Sequence, residues 1–314
     1  MSHFCAIDGG GTYTRCAIAD GTRTLAVVSA DSAKPARRGY EAAGRILFDT
    51  VLAACAEADV PFNLLKGISI GMSGVWRDPE RAQLREALYD AAHADMYPLP
   101  KLIIVSDVEN ALDGALGSSP GVVVISGTGS IAMGRNAAGD ILRVGGYGPE
   151  LGDEGSGTWI GRAAFQLMVR SVDGRRKHTP LTLALSETLN LHDAEEVRLF
   201  ISDHRHDLNF FAELALRVFD HAVRSEIDAM EILHHAAEEL CTLARGAASV
   251  FGEISLDRPV PVCFLGSIAE QTMTVHALKT ILHNIPELVR KEARGTALDG
   301  AIDRARKAWM SAAV

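Results

Sequence analysis

Cysteine is scarce in this sequence, and the few cysteines are not spaced for cross-links or metal binding. The 314 residues include five cysteines, an odd number, with no Cys-x-x-Cys pair among them. Disulfide frameworks and zinc sites use paired or closely spaced cysteines. The sequence therefore argues against both, and we expect Cys5 and Cys16, which lie in apolar segments, to be packing residues.

Long apolar runs are missing as well. No segment approaches the roughly 20 apolar residues that a membrane-spanning helix needs. The N-terminal segment does not resemble a signal peptide, because Asp8 and the glycines after it interrupt the apolar stretch. We therefore expect a cytoplasmic protein with no membrane partner.

Positive charge is in deficit. Asp and Glu number 40 against 31 Lys and Arg, so the formal net charge is −9. Binding to nucleic acid requires a basic face, and we expect no nucleic-acid partner. The composition, 47% hydrophobic and 23% charged, is ordinary for a globular protein, and the length suggests about two domains.

Two familiar nucleotide-binding loops are also absent. No Gly-Lys-Ser or Gly-Lys-Thr occurs, which excludes a Walker A loop. The glycines at Gly9 and Gly11 lack the third glycine of a dinucleotide-binding turn and are followed by a predicted strand rather than a helix. Any phosphate site must therefore be of another kind.

The chain does contain an alternation of short apolar segments and amphipathic helices, which indicates an α/β protein. Strands are predicted within 4–20, 20–31, 66–74, 101–107, 121–136 and 259–270. Helices are predicted at 40–58, 79–94, 108–117, 158–171 and 297–310, with a mainly helical region at 181–251. Glycine, serine and proline cluster at 117–120, where we expect the main domain boundary.

An internal repeat supports two related halves. Sliding the chain by 118 residues aligns Ile7–Thr12 with Ile125–Ser130, and each segment is an apolar strand, a glycine-rich turn and a second strand. A further buried strand follows in each half, ISIGMSG in the first and VCFLGSIAE in the second. Two copies of one α/β unit would each offer a glycine turn to the same ligand.

The glycine turns suit phosphate groups. Glycine has no Cβ, so successive backbone N–H groups can converge on an anion. Thr12, Thr128 and Ser130 add hydroxyl donors. A single turn of this kind is more often an ordinary hairpin, but two turns at matched positions favour phosphate binding.

Asp107 directly follows the apolar segment KLIIVS. A carboxylate at the end of a buried strand lies at the sheet edge where α/β proteins bind ligands, and it could accept a proton from a hydroxyl group. The alternative is an N-cap on a helix beginning at Val108. The residues alone leave the two roles balanced.

Other acidic and imidazole side chains carry weaker signals. Asp8 lies beside the first glycine turn, where it could hold Mg²⁺ through water or stabilise the turn. Asp153 lies in a loop with six glycines between Gly145 and Gly157, where it could accept hydrogen bonds from a polar ligand or be a plain loop residue. The pairs His204/His206 and His234/His235 lack the i, i+4 spacing of helical metal ligands.

Five motifs in order resemble one known family. They are IDGGGT, VSDVENALDGA, VVVISGTGS, GGYGPELGDEGSGTWIG and FLGSIAE. The chain resembles, over nearly its whole length, the bacterial N-acetylglucosamine and glucosamine kinases. These enzymes belong to the BadF/BadG/BcrA/BcrD group of the actin, sugar kinase and Hsp70 superfamily.

The resemblance implies a two-domain actin-like ATPase fold, a duplicated ribonuclease H-like α/β architecture with an interdomain cleft that binds ATP and Mg²⁺. The expected domains are 1–117 and 118–296, with a helical insertion in the second and the helix at 297–314 packing back on the first. The implied substrate is a small sugar. The sequence says nothing of oligomeric state, and because related kinases are often dimers, a homodimer is one expectation.

The resemblance also assigns site residues. Asp107 matches the catalytic aspartate and a sugar contact. Asp8 is the expected metal ligand because of its position beside the phosphates rather than by a family match. The positions matched to ATP binding are Gly10, Gly11, Thr12, Thr128, Gly129 and Gly266. The positions matched to sugar binding are Ser130, Gly146, Tyr147, Gly148 and Asp153.

Two departures from the family pattern bear on these assignments. The last motif has Gly266-Ser267 where the family usually has Gly-Gly, which affects the contacts expected with adenine. The segment SADSAKPARRG at 29–39 lacks the sugar-contacting Asn that often follows the third strand. The sequence therefore leaves the identity of the sugar open.

The leading expectation is an ATP-dependent kinase for the 6-hydroxyl of N-acetylglucosamine, with glucosamine or N-acetylmuramate as alternative substrates. A second expectation is the activator ATPase of acyl-CoA dehydratases or reductases, which holds an iron–sulfur cluster on cysteines at a dimer interface. The cysteine positions disfavour it. A sugar-sensing regulator would need a DNA-binding extension before the first strand.

Overall fold

The computed structural model describes residues 2–21 and 23–311. The chain divides into two compact units. The first comprises Met1–Ser119 and Ala293–Val314, and the second comprises Pro120–Glu292. No helix in the described ranges is long and apolar enough to cross a membrane.

The first unit is a five-stranded sheet with helices on both faces. Its elements are β1 (His3–Gly9), β2 (Tyr13–Ala19), β3 (Thr24–Asp31), α1 (Pro35–Arg38), α2 (Tyr40–Glu57), β4 (Leu65–Met72), α3 (Asp78–Ala94), β5 (Lys101–Val105), α4 (Asp107–Leu116) and, from the end of the chain, α11 (Ala297–Met310). The strand order is β3-β2-β1-β4-β5. β1 pairs antiparallel with β2 and parallel with β4, which in turn is parallel to β5.

The second unit repeats this arrangement and adds helices. Its elements are β6 (Gly121–Ser126), β7 (Ser130–Arg135), β8 (Ile141–Gly145), α5 (Gly157–Val172), α6 (Pro180–Leu189), α7 (Ala194–His204), α8 (Leu208–Val223), α9 (Ile227–Ala248), β9 (Val260–Leu265), α10 (Thr272–Leu282) and β10 (Leu288–Arg290). The strand order is β10-β9-β6-β7-β8. β6 pairs antiparallel with β7 and parallel with β9.

The two sheets therefore have the same topology, which confirms the internal repeat. β1 and β6 are equivalent central strands, and β4 and β9 are their equivalent parallel neighbours. The sequence pattern did not predict β8 or β10. β8 is mostly half-buried and carries Arg143 at its centre, and β10 has three residues, so neither shows a clear apolar alternation.

Buried apolar side chains fill both faces of the first sheet. On one face, large side chains such as Phe48 of α2, Leu84 of α3 and Ile68 of β4 belong to one buried cluster. On the other face, small residues of β1 and β2 pack against α11. All five cysteines are free and buried, and the Sγ atoms of Cys5 and Cys16 lie 3.4 Å apart. Their mutual hydrogen bond and burial raise the pKa of the Cys5 thiol well above its ordinary value. These positions confirm that Cys5 and Cys16 are packing residues.

The helix α11 lies against α4 because two glycines let the backbones approach. A Cβ at Gly300 would lie 2.4 Å from the carbonyl oxygen of Asn110, and a Cβ at Gly114 would lie 1.9 Å from that of Thr296. Arg304 of α11 then donates hydrogen bonds to Asn110 and Asp113 of α4. Close backbone contact and a charged side chain thus hold α11 against α4, although the two helices are far apart in sequence.

Replacing Gly300 with alanine is expected to destabilise the first unit. Alanine favours a helix by up to about 1 kcal/mol over glycine, but the fixed backbone of α4 leaves no room for the methyl group. Overpacking of this kind costs about 1–3 kcal/mol, so we expect a net loss in urea unfolding. The control Gly21→Ala, whose Cβ would meet nothing within 4 Å, should change stability by less than about 0.5 kcal/mol. Equal stability of the two variants would contradict this packing.

Candidate active site

The carboxyl ends of β1, β4 and β5 meet at one edge of the first sheet. Asp8 of β1 lies in register with Gly71, which lies in register with Val105. The backbone N–H of Ser73 donates to the carbonyl of Gly9 at 2.7 Å, which extends the pairing beyond β4. Asp107 follows β5 by two residues. This edge therefore collects the side chains of Asp8, Ser73 and Asp107.

Asp107 is the first residue of α4, and Ser106 is its N-cap. The hydroxyl of Ser106 accepts from the N–H of Glu109, whose carboxylate accepts from the N–H of Ser106 at 2.8 Å. The alternative in which Asp107 caps a helix starting at Val108 is therefore wrong. The sequence obscured this because serine and aspartate, both good caps, are adjacent.

Ser106, and not Asp107, is the N-cap, and other hydrogen bonds orient the Asp107 carboxylate. One oxygen accepts from the N–H of Val108 at 2.9 Å, and Ser73 supplies a further hydrogen bond. Burial, followed by the negative charge of Asp8, raises the pKa of Asp107 from 3.8 to about 6, against the lowering effect of these hydrogen bonds and of Lys34. The group is ionised at neutral pH yet is a stronger base than an ordinary carboxylate.

Asp8 is fixed from the neighbouring strand. Its Oδ2 accepts from Arg15 Nη2 at 2.6 Å, and Arg15 is its cross-strand partner. Mg²⁺ in phosphate sites takes one or two carboxylates and completes its shell with water and phosphate oxygens. The carboxylates of Asp8 and Asp107, close enough to interact electrostatically, fit that requirement. Within the described ranges no cluster of three or more acidic, His or Cys side chains could hold a metal.

The first glycine turn joins β1 to β2. The N–H of Gly10 donates to the carbonyl of Tyr13, and the exposed residues Gly11 and Thr12 form the tip. Ser32 donates to the carbonyl of Gly10 and Arg37 to that of Gly11. These bonds anchor the turn to the segment after β3.

Gly11 is not required by the fold itself. Its φ is not in the left-handed region, and a Cβ there would meet no atom within 4 Å. A side chain would instead occupy the open space over the turn. This is the situation expected where glycine leaves room for a ligand to approach the backbone.

The second glycine turn joins β6 to β7 and rests on the N-terminus of α5. The N–H of Gly157 donates to the carbonyl of Gly127 at 2.8 Å, and the N–H of Thr158 donates to that of Thr128 at 3.3 Å. Ser156 caps the helix through its hydroxyl. Thr128 is thereby fixed at the carboxyl end of β6.

The turn after β9 lies at the same edge of the second sheet. Gly266 has φ +99°, and a Cβ there would lie 2.5 Å from the carbonyl oxygen of Ser126. The same carbonyl accepts from the N–H of Ile268 at 3.0 Å. Gly266 is therefore needed for the close contact between the two turns, and Ser267 Oγ lies beside Gly127.

The glycine-rich loop brings Asp153 onto the second turn. A Cβ at Gly129 would lie 2.6 Å from Asp153 Oδ2, and the hydroxyl of Ser130 donates to the carbonyl of Glu154 at 2.7 Å. Asp153 itself has φ +60°, a costly conformation for a residue with a side chain. Such strain is typical of functional loops.

The rest of this loop folds back beside Asp153. Gly146 and Gly148 have φ +70° and +90°, and the N–H of Gly152 donates to the carbonyl of Gly148 at 2.8 Å. Tyr147 is 73% exposed, with the Arg143 guanidinium 5.8 Å from the centre of its ring. The predicted residues of this loop thus lie near one another in the second unit.

The sequence analysis did not identify three polar residues near Asp107 and the first glycine turn. Ser73 and Lys34 influence Asp107, and Arg37 binds the first turn. The only sequence signal was the basic segment at 34–38 directly after β3. Ser73 gave none, because its contact with Asp107 joins segments 34 residues apart.

Comparison with known proteins identifies the class. Residues 6–302 match the model of the BadF/BadG/BcrA/BcrD ATPase family. A crystal structure from Chromobacterium violaceum, provisionally assigned as an N-acetylglucosamine kinase, is 27% identical and superposes with a TM-score of 0.74 over 96% of this chain and 98% of that one. The fold is thus the duplicated α/β fold of the actin-like sugar kinases.

Two characterised relatives are similar over most of their length. The N-acetylmuramic acid/N-acetylglucosamine kinase of Clostridium acetobutylicum is 28% identical over 80% of each chain. The N-acetyl-D-glucosamine kinase of Dictyostelium discoideum is 30% identical over 90% of this chain and 91% of its own. The chain belongs to the BadF/BadG/BcrA/BcrD ATPase family, as its motifs predicted, and membership implies the use of ATP.

Replacing Asp107 with asparagine is expected to stabilise the fold at neutral pH. A folded-state pKa above the unfolded value means that the wild-type carboxylate opposes folding once it is ionised in both states, above about pH 6. Asparagine keeps the acceptor for Val108 and removes the charge. We expect a gain of about 1–3 kcal/mol at pH 8 that shrinks towards pH 4. Urea unfolding at both pH values measures it, and a gain independent of pH would contradict the assigned electrostatics.

Proposed function

We propose that this protein is an ATP-dependent amino-sugar kinase that transfers the γ-phosphoryl group to the 6-hydroxyl of N-acetylglucosamine. The observation that carries the proposal is Asp107, a carboxylate with a raised pKa at the sheet edge beside a glycine turn. The names of the two relatives, both kinases of N-acetylated amino sugars, support the choice of acceptor.

In this proposal the glycine turns bind the nucleotide. Phosphate oxygens bind to Gly10, Gly11 and Thr12 of the first unit. They also bind to Thr128 and Gly129 of the second unit. The open space over Gly11 supports the first of these roles. Gly266 belongs to the adenosine side, where Ser267 replaces the usual second glycine.

Asp107 acts as the general base. Its carboxylate accepts the proton of the sugar hydroxyl, the hydroxyl oxygen forms a bond to the γ-phosphorus, and the bond from that phosphorus to the bridging oxygen breaks to release ADP. The hydrogen bonds from Val108 and Ser73 orient the carboxylate. The pKa near 6 leaves it ionised in most molecules at pH 7.

Asp8 is the residue that would hold Mg²⁺, through water. The bound ion would neutralise phosphate charge during transfer. Arg15 keeps Asp8 in one orientation through their 2.6 Å contact.

The sugar is proposed to contact the glycine-rich loop. Asp153 accepts hydrogen bonds from hydroxyl groups, and the backbone of Gly146, Tyr147 and Gly148 approaches the ring. Because the Ser130 hydroxyl already donates to Glu154, Ser130 can offer the sugar only its oxygen as an acceptor. A site built on such pairs rejects analogues that lack the hydroxyl.

The alternatives are glucosamine or N-acetylmuramate as acceptor, and an activator ATPase of an acyl-CoA dehydratase or reductase. The activator reading requires cysteines that can reach a shared iron–sulfur cluster. All five cysteines of this chain are buried, and burial raises the pKa of Cys55 and Cys241 to about 12. The kinase is therefore the better supported function. The homodimer and the cytoplasmic location stay predictions.

The proposal predicts sugar-dependent ADP release that requires Asp107. A coupled assay with Mg·ATP should give strong release with N-acetylglucosamine, little without sugar, and a kcat/KM that falls below about pH 6 as Asp107 becomes protonated. Asp107→Asn should lower kcat by at least about 100-fold while nucleotide binding persists.

The matched control is Asp90→Asn, an exposed residue on α3, which should keep wild-type kcat. Sugar-independent ADP release would support the activator reading instead. Near wild-type kcat in Asp107→Asn would refute its role as base.

Replacing Gly11 with alanine should separate nucleotide binding from stability. The fold accepts the methyl group, so the free energy of unfolding should stay the same or rise by up to about 1 kcal/mol. The methyl group should obstruct the phosphates and raise the KM for ATP about tenfold or more. Gly21→Ala in the next hairpin turn, equally open, should leave KM unchanged. An unaltered KM in Gly11→Ala would remove this turn from the nucleotide site.

A further inference from the structure

The segment that follows β3 is tied to the first glycine turn and the strand after it. The N–H of Ala33 donates to Thr14 Oγ1 at 3.0 Å, and the hydroxyl of Ser32 donates to the carbonyl of Gly10 at 2.9 Å. The N–H of Lys34 in turn donates to Ser32 Oγ at 3.3 Å. The backbone of Lys34 is therefore fixed relative to the turn that is proposed to bind phosphates.

The side chain of Lys34 extends from this segment towards the end of β4. Its Cε lies 3.4 Å from the position that a Cβ at Gly74 would take, and Gly74 directly follows Ser73. Ser73 hydrogen-bonds to Asp107, and the positive charge of Lys34 acts on the same carboxylate. The anchored backbone and the contact at Gly74 thus hold the ammonium group on the side of the proposed base.

Three cationic side chains lie between β3 and α2, and two of them are engaged elsewhere. Arg37 donates to the carbonyl of Gly11 at 3.0 Å, and Arg38 Nη2 lies 3.7 Å from Asp31 Oδ2. The third is the half-buried Lys34, whose ammonium group forms no hydrogen bond or ion pair with any residue that the structure describes. Its three N–H donors are therefore available to a ligand.

Phosphoryl transfer at this edge calls for positive charge beside the base. In the transition state, negative charge is spread over the three equatorial oxygens of the phosphoryl group. In the proposed site this charge develops near the carboxylates of Asp8 and Asp107, and Arg15 is already paired with Asp8 at 2.6 Å. An ammonium group is a compact charge that suits phosphate oxygens, and Lys34 can supply it.

We propose that Lys34 is a catalytic residue whose ammonium group binds the phosphoryl group being transferred. The inference rests on the proposed function, because it takes Asp107 as the base and the first glycine turn as a phosphate site. Lys34 forms no covalent bond and keeps its proton throughout. Its charge opposes the negative charge on the phosphoryl oxygens, and this attraction strengthens as the transition state is reached.

Nucleotide titration tests this contact without turnover. Calorimetry gives the Kd of Mg·ADP and that of an ATP analogue whose β–γ bridge is an imido group, and the ratio of the two constants isolates the γ-phosphoryl group. Lys34→Met keeps a side chain of similar length and removes the charge. It should weaken binding of the analogue about tenfold or more relative to ADP, the range of a hydrogen bond to a charged group, and Lys34→Arg should restore part of this loss. An unchanged ratio would overturn the inference.

Steady-state kinetics tests the same contact during the reaction. With Mg·ATP and N-acetylglucosamine, Lys34→Met should lower kcat about 100-fold or more, as the loss of one donor to a developing charge does in other enzymes. The KM for the sugar should stay about the same. A higher KM for the sugar at unchanged kcat would assign Lys34 to sugar binding instead. A lower kcat at an unchanged ratio of the two dissociation constants would make it a positioning residue for Asp107, and either result overturns the proposal.

The matched control is Lys66→Met. Lys66 is an exposed lysine of the same sheet, near the start of β4 and therefore at the opposite end of the strand from Ser73. The variant should leave kcat and both dissociation constants unchanged. If the wild type shows no sugar-dependent turnover, the proposed function fails, and the two nucleotide titrations still decide whether Lys34 contacts the γ-phosphoryl group.

Discussion

The side chain of Asn110 is the contact on which the arrangement of the first unit depends. It is fully buried, donates to the carbonyl of Ile7 in β1 at 2.9 Å, and accepts from Arg304 of α11. It fits because Gly71 of β4 has no side chain; a Cβ there would lie 2.1 Å from its Nδ2. One amide thus joins β1, α4 and α11, and it fixes the start of α4 relative to the end of β1.

The position of α4 relative to β1 also determines the electrostatics at the carboxyl ends of the strands in the first sheet. Two carboxylates are brought together where water is partly excluded, which raises the free energy of the ionised state. Hydrogen bonds from the Val108 N–H and from Ser73, together with the charge of Lys34, offset part of this penalty. They do not remove it, since the pKa of Asp107 stays near 6. The protein thus carries a local loss of stability at this edge, a compromise common in active sites.

The sequence predicted the elements whose signals are local. The repeat of Ile7–Thr12 at Ile125–Ser130 revealed the duplicated sheets, and α11 begins and ends as its periodicity indicated. The short strands β8 and β10 and the cap at Ser106 were missed or misassigned, because their local patterns are weak or ambiguous. The contacts of Ser73 with Asp107 and of Arg37 with Gly11 join distant segments, which no spacing rule reveals.

The return of α11 to the first unit has a consequence for how the polypeptide is made. The second unit is continuous in sequence from Pro120 to Glu292, so all of its strands are available once that stretch has been synthesised. The first sheet is complete much earlier, yet Ala6 and Ala17 have no cover until residues near Leu298 and Ala301 emerge. During synthesis the nascent chain therefore carries an uncovered apolar sheet face for about 180 residues, an interval in which chaperone binding would protect it.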